Sequence, residues 1–501
     1  MNRAWLLIIA LFGVLAIQLP VISRPPFDAH CFRQAQTLST IDLFDLEGID
    51  MTRPKTNYVG EPGVFVLEFP LFQAFCAWLY GWFGSHVQIV RLVNLLFTFA
   101  NAGLTFALGR RLFGREAGMA AALIYLFAPL NLQYMTSTLI DPSVITFSLI
   151  AFLAAWHILQ PKDTEGSPRL IVWLVFLVAS VITALIKVLY LFPICVLMAA
   201  TVLQRRKLSV RLVGTGLGLS VAGIAFWTWL AHARQVNDES YFTQQINATV
   251  LLGFKPLSTW AFYQEMARRL AVYLAGPLGM LLAVFAVQSA FSIRGPRQSS
   301  ARFSLAVLAC CVAGYLLAFP KVNLPHDYYS LMVSPYFCLL AGFGVGEMAS
   351  RAARQSGWKV WFGNAGIVVL IVVAVSTGFF FRQPRLQPDP RLLDLQQRSQ
   401  AVFEPWSFGM VFTAPDPRLP LPPNIGSEQP EALYATRLRG TGHLVADSPA
   451  ALAIWQAKRP HYKNLKYVVF YGLTPPPEIV AACRETIVSD NANKWHAYRV
   501  K

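Results

Sequence analysis

Apolar runs of about 20 residues, the length that crosses the hydrocarbon core of a bilayer, recur along this chain and set its architecture. They predict helices near 4–22, 86–108, 117–134, 143–160, 170–187, 189–203, 212–231, 271–292, 303–319, 328–349 and 360–381, about eleven in all. The two around Lys187 and Tyr190 are the least clearly separated, because the connection is short and Pro193 follows it. The run from Val64 to Phe83 is apolar as well, but Glu68, Pro70 and Gln73 interrupt it. It reads as an interfacial or re-entrant element on the outer side.

The polar positions between these runs fall into two sets. One collects Arg3, then Arg110, Arg111 and Arg115, then Lys162 and Arg169, then Arg205, Arg206, Lys207 and Arg211, then Arg294, Arg297 and Arg302, then Arg351, Arg354 and Lys359. Short loops rich in Lys and Arg face the cytoplasm. The opposite side takes the long loop Ser23 to Ser85, the turn around Asp141, the stretch His232 to Arg269, the turn Pro320 to Asp327 and the tail. The first run ends in Ser23-Arg24-Pro25-Pro26 without a small-x-small cleavage site, so an uncleaved first helix with a cytoplasmic N-terminus is expected. After Phe381 the pattern changes to scattered prolines and short alternating runs such as Tyr467-Val468-Val469-Phe470-Tyr471. That predicts a small soluble α/β domain over 382–501 on the outer side, following a transmembrane catalytic domain over 1–381 whose outer catalytic loop is 23–85.

Composition narrows the class. Of 501 residues, 55% are apolar and 14% charged, and the mean hydropathy is +0.47. These values lie outside the range of soluble globular proteins and point to a multi-pass membrane protein. The net charge of +16 would suggest a nucleic-acid partner in a soluble domain. Here the basic residues sit in short loops and set orientation, so no nucleic-acid partner is expected. Seven cysteines form no C-x-x-C pair, and Cys76, Cys195, Cys310, Cys311 and Cys338 lie in apolar segments, so neither a disulfide framework nor a zinc site is indicated.

Ionisable groups at membrane level are costly unless paired or wetted, which makes them functional candidates. Three stretches qualify: Asp28 to Thr37 with Glu68; Asp141 in Leu139-Ile140-Asp141-Pro142; and Lys321 to Tyr329. All three fall on the outer face of the topology above. Each also has a plain structural reading. Asp28 suits a helix N-cap, Asp141 before Pro142 suits one with Pro at the first helical position, and Lys321 to Tyr329 suits an ordinary connection. Arg33 suits a pair with Asp28 or a lipid phosphate. Chemically, an acceptor hydroxyl that attacks must lose a proton to a carboxylate or imidazole, roles open to Asp28, His30, Glu68 and Asp141. A phosphate leaving group asks for cations, which Arg33, Lys55, Arg268, Arg269, Lys321 and His326 supply in outer loops. Tyr328 and Tyr329 suit stacking on sugar or polyprenyl, or an interfacial aromatic belt.

The order of these motifs carries a resemblance. A first helix, an Asp28-bearing loop with Arg33-Gln34-Ala35-Gln36-Thr37, then Glu68-Phe69-Pro70, Asp141 at the outer end of a helix, and His326-Asp327-Tyr328-Tyr329 entering a late helix resemble bacterial family 39 glycosyltransferases. These belong to the GT-C superfamily, with the protein O-mannosyltransferases and the lipid A aminoarabinose transferase. The resemblance spans roughly residues 1 to 380 and is strongest from Asp28 to Trp156; the tail carries no recognisable motif. It implies a mainly α, polytopic GT-C enzyme of the bacterial inner membrane with a small C-terminal α/β periplasmic domain. The implied reaction moves a sugar, with inversion, from a polyprenyl-phosphate donor to an acceptor hydroxyl or phosphate on the periplasmic face. The acceptor is a lipid, a polysaccharide or a protein.

By position, Asp28 matches the first-loop acid, Glu68 with Pro70 the Glu-x-Pro element, and Asp141 the second acid. In some relatives the acid stands three residues before the Arg, where this chain has His30, so the base is Asp28 or His30. Gln34 and Asp327 join the groups expected to hold donor and phosphate. Some relatives use a divalent metal ion, but no spacing here demands one. A transporter or flippase of a lipid-linked saccharide is the rival class. It usually shows repeated halves with polar groups near the midplane, whereas here no half-repeat is visible and the polar groups crowd one face.

Overall fold

The computed structural model describes residues 4–160, 168–205, 209–244, 253–292, 296–353, 380, 387–415, 428–492 and 494–501. In chain order, helices α1 (Ala4–Ile22), α2 (Cys31–Glu47), α3 (Leu71–Phe83), α4 (Val87–Phe113), α5 (Arg115–Phe127), α6 (Pro129–Tyr134), α7 (Asp141–Leu159), α8 (Leu170–Lys187), α9 (Phe192–Arg205) and α10 (Val210–Asp238) come first. Helices at Trp260–Arg268, Gly276–Ser292, Pro296–Ala318 and Ser334–Ala353 follow.

Among the described residues, six helical stretches are long and apolar enough to cross a membrane, or seven if the bent pair Trp260–Tyr273 and Gly276–Ser289 is one broken span. Several of the eleven apolar runs are interrupted or joined, for identifiable reasons. The run 117–134 breaks at Ala128, where Pro129, which has no N–H, starts a new helix, leaving α5 at 13 residues and α6 at 6. The runs 170–187 and 189–203 join through one 3-10 turn, Val188–Leu191, into a single 36-residue stretch. The run 271–292 lies in the pair bent by 97°. The first run forms α1, and the run 360–381 lies outside the described residues, Phe380 excepted. Val64 to Phe83 becomes α3, which starts after Pro70, buries Phe72, Cys76 and Tyr80, and exposes Phe75, Trp78, Trp82 and Phe83. One face of this helix is buried and the other presents large apolar side chains outward.

The chain divides into two compact units. The first comprises Met1–Ser23, Val90–Trp229 and Val250–Leu386. Its centre is α7 and the stretch Asp327–Arg351, each with 78% of its apolar window buried, whereas α10 has only 17% buried and turns Leu217, Val221, Ile224 and Trp227 outward. An outward apolar surface on a spanning helix is what lipid solvates. Small residues let α5 approach the helix Ser334–Ala353: a Cβ on Gly342 would stand 2.6 Å from the Ala117 carbonyl oxygen.

The second unit comprises Arg24–Ile89, Leu230–Thr249 and Gln387–Lys501. Five strands, β1 (Phe408–Thr413), β2 (Arg439–Leu444), β3 (Tyr467–Tyr471), β4 (Cys483–Asp490) and β5 (Trp495–Val500), form one sheet in the order β2-β1-β3-β5-β4. Strands β2, β1 and β3 are parallel, and β5 and β4 add antiparallel at the edge. Met410, Val411, Phe412, Val468, Val469 and Phe470 are fully buried, the continuous apolar pattern of parallel strands covered on both faces. The loop 24–89 shares this unit with the tail and its core: Phe27, Tyr58, Val59 and Phe65 pack with Phe408, Met410 and Tyr462. Backbone bonds join the two segments, since the Gly440 N–H donates to the Asn57 carbonyl at 2.7 Å and the Gly60 N–H to the Gly440 carbonyl at 2.7 Å. The Asn57 side-chain amide adds a bond to the Pro430 carbonyl at 2.9 Å.

Candidate functional site

Within the second unit the loop 24–89 builds a polar cluster at the start of α2. Pro25 and Pro26 keep the chain out of a helix, and His30 then takes a left-handed conformation (φ 55, ψ 39) before α2 begins at Cys31. Such a turn at a non-glycine residue is uncommon, though His is among the residues that tolerate it best. It brings the buried Asp28 onto Gln34, whose amide donates to the Asp28 carboxylate and, at 3.0 Å, to the Ala29 carbonyl. The helix N-cap position is therefore His30, two residues after Asp28.

Arg33 lies one turn along and pairs with Glu68 at 2.5 Å, both side chains largely buried at 13% and 10% exposure. Beside the Asp28 or lipid phosphate that the sequence leaves open, the structure gives Arg33 Glu68 as a partner. Gln36 accepts from Arg33 and donates to the Tyr58 hydroxyl at 3.0 Å, and Gln73 donates to Glu68 at 3.4 Å. Burial pushes the Tyr58 hydroxyl well above the usual range, so it stays protonated. Lys55 lies in a different environment, bound to Glu47 at 2.5 Å beside Arg439.

Within the first unit a second cluster forms around Asp141. The N-cap of α7 is Ile140, and the fully buried Asp141 caps nothing. Its Oδ1 accepts from Lys187 Nζ at 2.7 Å and from the Tyr190 hydroxyl at 2.5 Å, while Oδ2 is buried without a hydrogen-bond partner. Lys187 ends α8 where the helix gives way to the 3-10 turn, and its ammonium stands 4.5, 5.2 and 5.5 Å from the ring centroids of Tyr329, Tyr328 and Tyr190. Three aromatic faces and a carboxylate hold this cation in place of water. The Tyr315 hydroxyl, on a ring edge-on to Tyr190 at 6.3 Å, is also buried without a partner. Asp327 accepts from the Tyr134 hydroxyl at 2.5 Å, and His326 lies 5.3 Å from Tyr328. The arrangement thus offers an unused acceptor, an unused hydroxyl and a caged cation.

Sequence reading missed Lys187, which sits at the blurred boundary between two apolar runs with no motif around it. Two cations singled out there serve structure here. Arg269, 2% exposed, donates to the carbonyls of Asn323 at 2.5 Å and Leu324 at 3.0 Å and to Ser330 Oγ at 3.1 Å, fixing the segment before Tyr328. Arg268 pairs with Glu265 at 2.7 Å and reaches the Tyr273 hydroxyl at 3.2 Å. Lys321 is exposed. Among the described residues no three His, Cys, Asp or Glu side chains gather as a metal-ligand set.

A polar stripe on α4 holds the backbone on either side of Asp141. Arg91, Asn94, Thr98, Asn101 and Thr105 recur at helical spacing and are all buried. Arg91 donates to the Thr136 carbonyl at 2.7 Å, Asn94 to those of Ser137 and Leu139 at 2.7 Å each, and Asn101 to that of Pro142 at 2.9 Å. Non-helical backbone inside a helix bundle needs such partners. Replacing Asn94 with Leu leaves two buried carbonyls short of a donor and is expected to cost about 2–4 kcal/mol. The check is the thermal unfolding midpoint of the purified protein in lipid nanodiscs, which falls if the stripe has this role.

No family model matches the chain, and no curated protein sequence matches it. Solved structures do. ArnT from Cupriavidus metallidurans, bound to undecaprenyl phosphate, superposes with a TM-score of 0.64 at 14% identity, over 100% of this chain and 98% of that one. The archaeal oligosaccharyltransferase AglB from Archaeoglobus fulgidus, in complex with an inhibitory peptide and a dolichol-phosphate, gives 0.57 at 9% identity, over 94% and 70%. The arabinofuranosyltransferase AftD from Mycobacteria gives 0.53 at 14% identity, and this chain, matched over its whole length, spans 42% of it. The chain therefore has the fold of GT-C membrane glycosyltransferases, a polytopic helical unit with a small sheet-bearing domain.

Proposed function

We propose that this protein is an integral membrane glycosyltransferase that moves a sugar from a polyprenyl-phosphate donor to an acceptor hydroxyl, with inversion. The observation that carries the proposal is the buried Asp141–Lys187 pair under Tyr328 and Tyr329, set in a fold whose solved examples hold undecaprenyl phosphate or dolichol-phosphate. An unpartnered carboxylate oxygen and a caged cation are expensive to maintain in a helix bundle unless a ligand uses them.

Asp28, held by Gln34, takes the acceptor proton as the acceptor oxygen bonds to the anomeric carbon. The bond from that carbon to the phosphate oxygen breaks, and its electron pair leaves on polyprenyl phosphate. His30 sets the turn that aims Asp28, and Glu68 holds Arg33 as a cation for developing phosphate charge. In the first unit, Asp141 Oδ2 accepts a donor hydroxyl, Tyr328 and Tyr329 stack against the sugar or the lipid, and Lys321 and His326 meet the phosphate. The membrane is the bacterial cell membrane, with the N-terminus cytoplasmic and the reaction on the periplasmic face.

The test is transfer in proteoliposomes with a panel of radiolabelled polyprenyl-phosphate sugars and a membrane extract as acceptor. The wild-type protein is expected to move label to an acceptor, and Asp28→Asn to lower the rate by about 10²–10⁴. An unchanged rate in Asp28→Asn would remove Asp28 from the role of base.

A further inference from the structure

The loop 24–89 and the tail meet across a face that carries two carboxyl groups. Helix α2 of the loop packs against the tail helix Pro430–Thr436. Cys31 at the start of α2 and Glu431 of the tail helix line one small cleft, and further along α2 the Tyr434 hydroxyl donates to the Asp42 carboxylate. Glu431 is 8% exposed, and its Oε2 is buried without a hydrogen-bond partner.

An ionised carboxylate is stable inside a protein only where cations or donors replace the water it loses. Facing Asp42 are Arg437 just past the tail helix, Tyr434 within it, Tyr80 of α3 and Asp45 of its own helix. Facing Glu431 are Asp389 and Cys31, and Arg391 lines the same cleft with its guanidinium donating to the Ala414 carbonyl. Burial raises both carboxyls to about 7, although the Tyr434 hydroxyl and Arg437 offset part of that effect at Asp42. The two segments also bond through their backbones. The Asn57 amide reaches Pro430 at the head of the tail helix, Gly440 bonds Asn57 and Gly60, and the Asp389 N–H donates at 2.8 Å to the carbonyl of Phe27, the residue before Asp28. Loosening the face frees the backbone that carries Asp28.

We infer that the face between α2 and the tail helix is a proton-controlled latch, closed while Asp42 and Glu431 are protonated and loosened when they ionise. Both groups hold a proton more tightly in the closed latch than in an open chain, where a carboxyl titrates near pH ~4. Their stabilisation is therefore complete below that value and is lost as the pH rises to about 7. The latch rests on the packing of the second unit alone and holds whichever reaction the loop serves.

The experiment is amide hydrogen exchange, read by mass spectrometry, on the full-length protein in lipid nanodiscs from about pH 5 to about pH 8, with rates corrected for their intrinsic pH dependence. Peptides holding the N–H groups of Gly60, Asp389 and Gly440 report the latch, and those of α7 are the control. Wild type is expected to lose at least about tenfold in protection at the latch across this range while α7 is unchanged. Asp42→Asn combined with Glu431→Gln, neutral at both positions, is expected to change less than about threefold. If the double variant does not fold, each single variant is expected to keep only part of the wild-type change. Wild-type protection that is independent of pH, an equal loss in α7, or a folded variant that keeps the full wild-type change would overturn the latch. No sugar transfer is measured, so such a failure leaves the transferase reading standing, and failed transfer leaves the latch standing.

Discussion

Lys187→Met is expected to destabilise the helix bundle by about 3–5 kcal/mol and to abolish transfer. Asp141 is fully buried and Lys187 is 9% exposed, so removing the ammonium leaves a carboxylate without its counter-charge where water cannot replace it. The Tyr190 hydroxyl is one remaining donor to Oδ1, which is too little for an ionised group in that setting. The companion variant separates fold from function. Asp141→Asn combined with Lys187→Met removes both charges and is expected to recover most of the lost stability, because an absent buried pair costs far less than a broken one. Transfer stays lost if the pair handles the donor. Thermal unfolding and label transfer on the three variants check both halves. A double variant that regains stability and activity together would reduce the pair to a structural element.

Gly440→Ala is expected to have the other large effect, a loss of about 4 kcal/mol or more in the second unit. Gly440 has φ +148, a region that side chains rarely adopt, and a Cβ there would sit 2.0 Å from the Gly409 carbonyl oxygen. The neighbour it meets is backbone in β1, which cannot rotate away. The same residue bonds Asn57 through its N–H and Gly60 through its carbonyl, so pushing it outward also breaks the join between the tail and the loop 24–89. Limited proteolysis should then cut in the loop 24–89 or the tail at protease levels that spare wild type. Transfer should fall in step, because Asp28 and Arg33 sit on that loop. Unchanged protease resistance would show that β2 absorbs the methyl group and that the join is looser than its bonds suggest.

How much of this was legible in the sequence depends on the range of each interaction. Apolar runs gave the membrane class, and proline density with alternating runs after Phe381 gave the tail its α/β character, because both are local patterns. Hydropathy does not foresee the break at Pro129 that divides the run 117–134 into α5 and α6. Polar residues in the loop 24–89 stood out, yet the pairing of Arg33 with Glu68 did not, since Glu68 is 35 residues away. Lys187 was invisible for the same reason: it meets Asp141 over 46 residues and looks, in one dimension, like a charge at a helix end. The α4 stripe was periodic and could have been found by asking which polar residues share a helical face. The join between Asn57 and Gly440 leaves no local trace, so the tail could not be read as part of the same unit as the loop.

The central claim is that a sugar leaves a lipid phosphate on this protein, and the most direct measurement is the polyprenyl phosphate released per sugar transferred in proteoliposomes. The account predicts one released for each sugar moved by wild type, and release at least a hundredfold slower in Asp28→Asn. Labelled donor that changes leaflet while no polyprenyl phosphate is released would contradict it and make the protein a transporter.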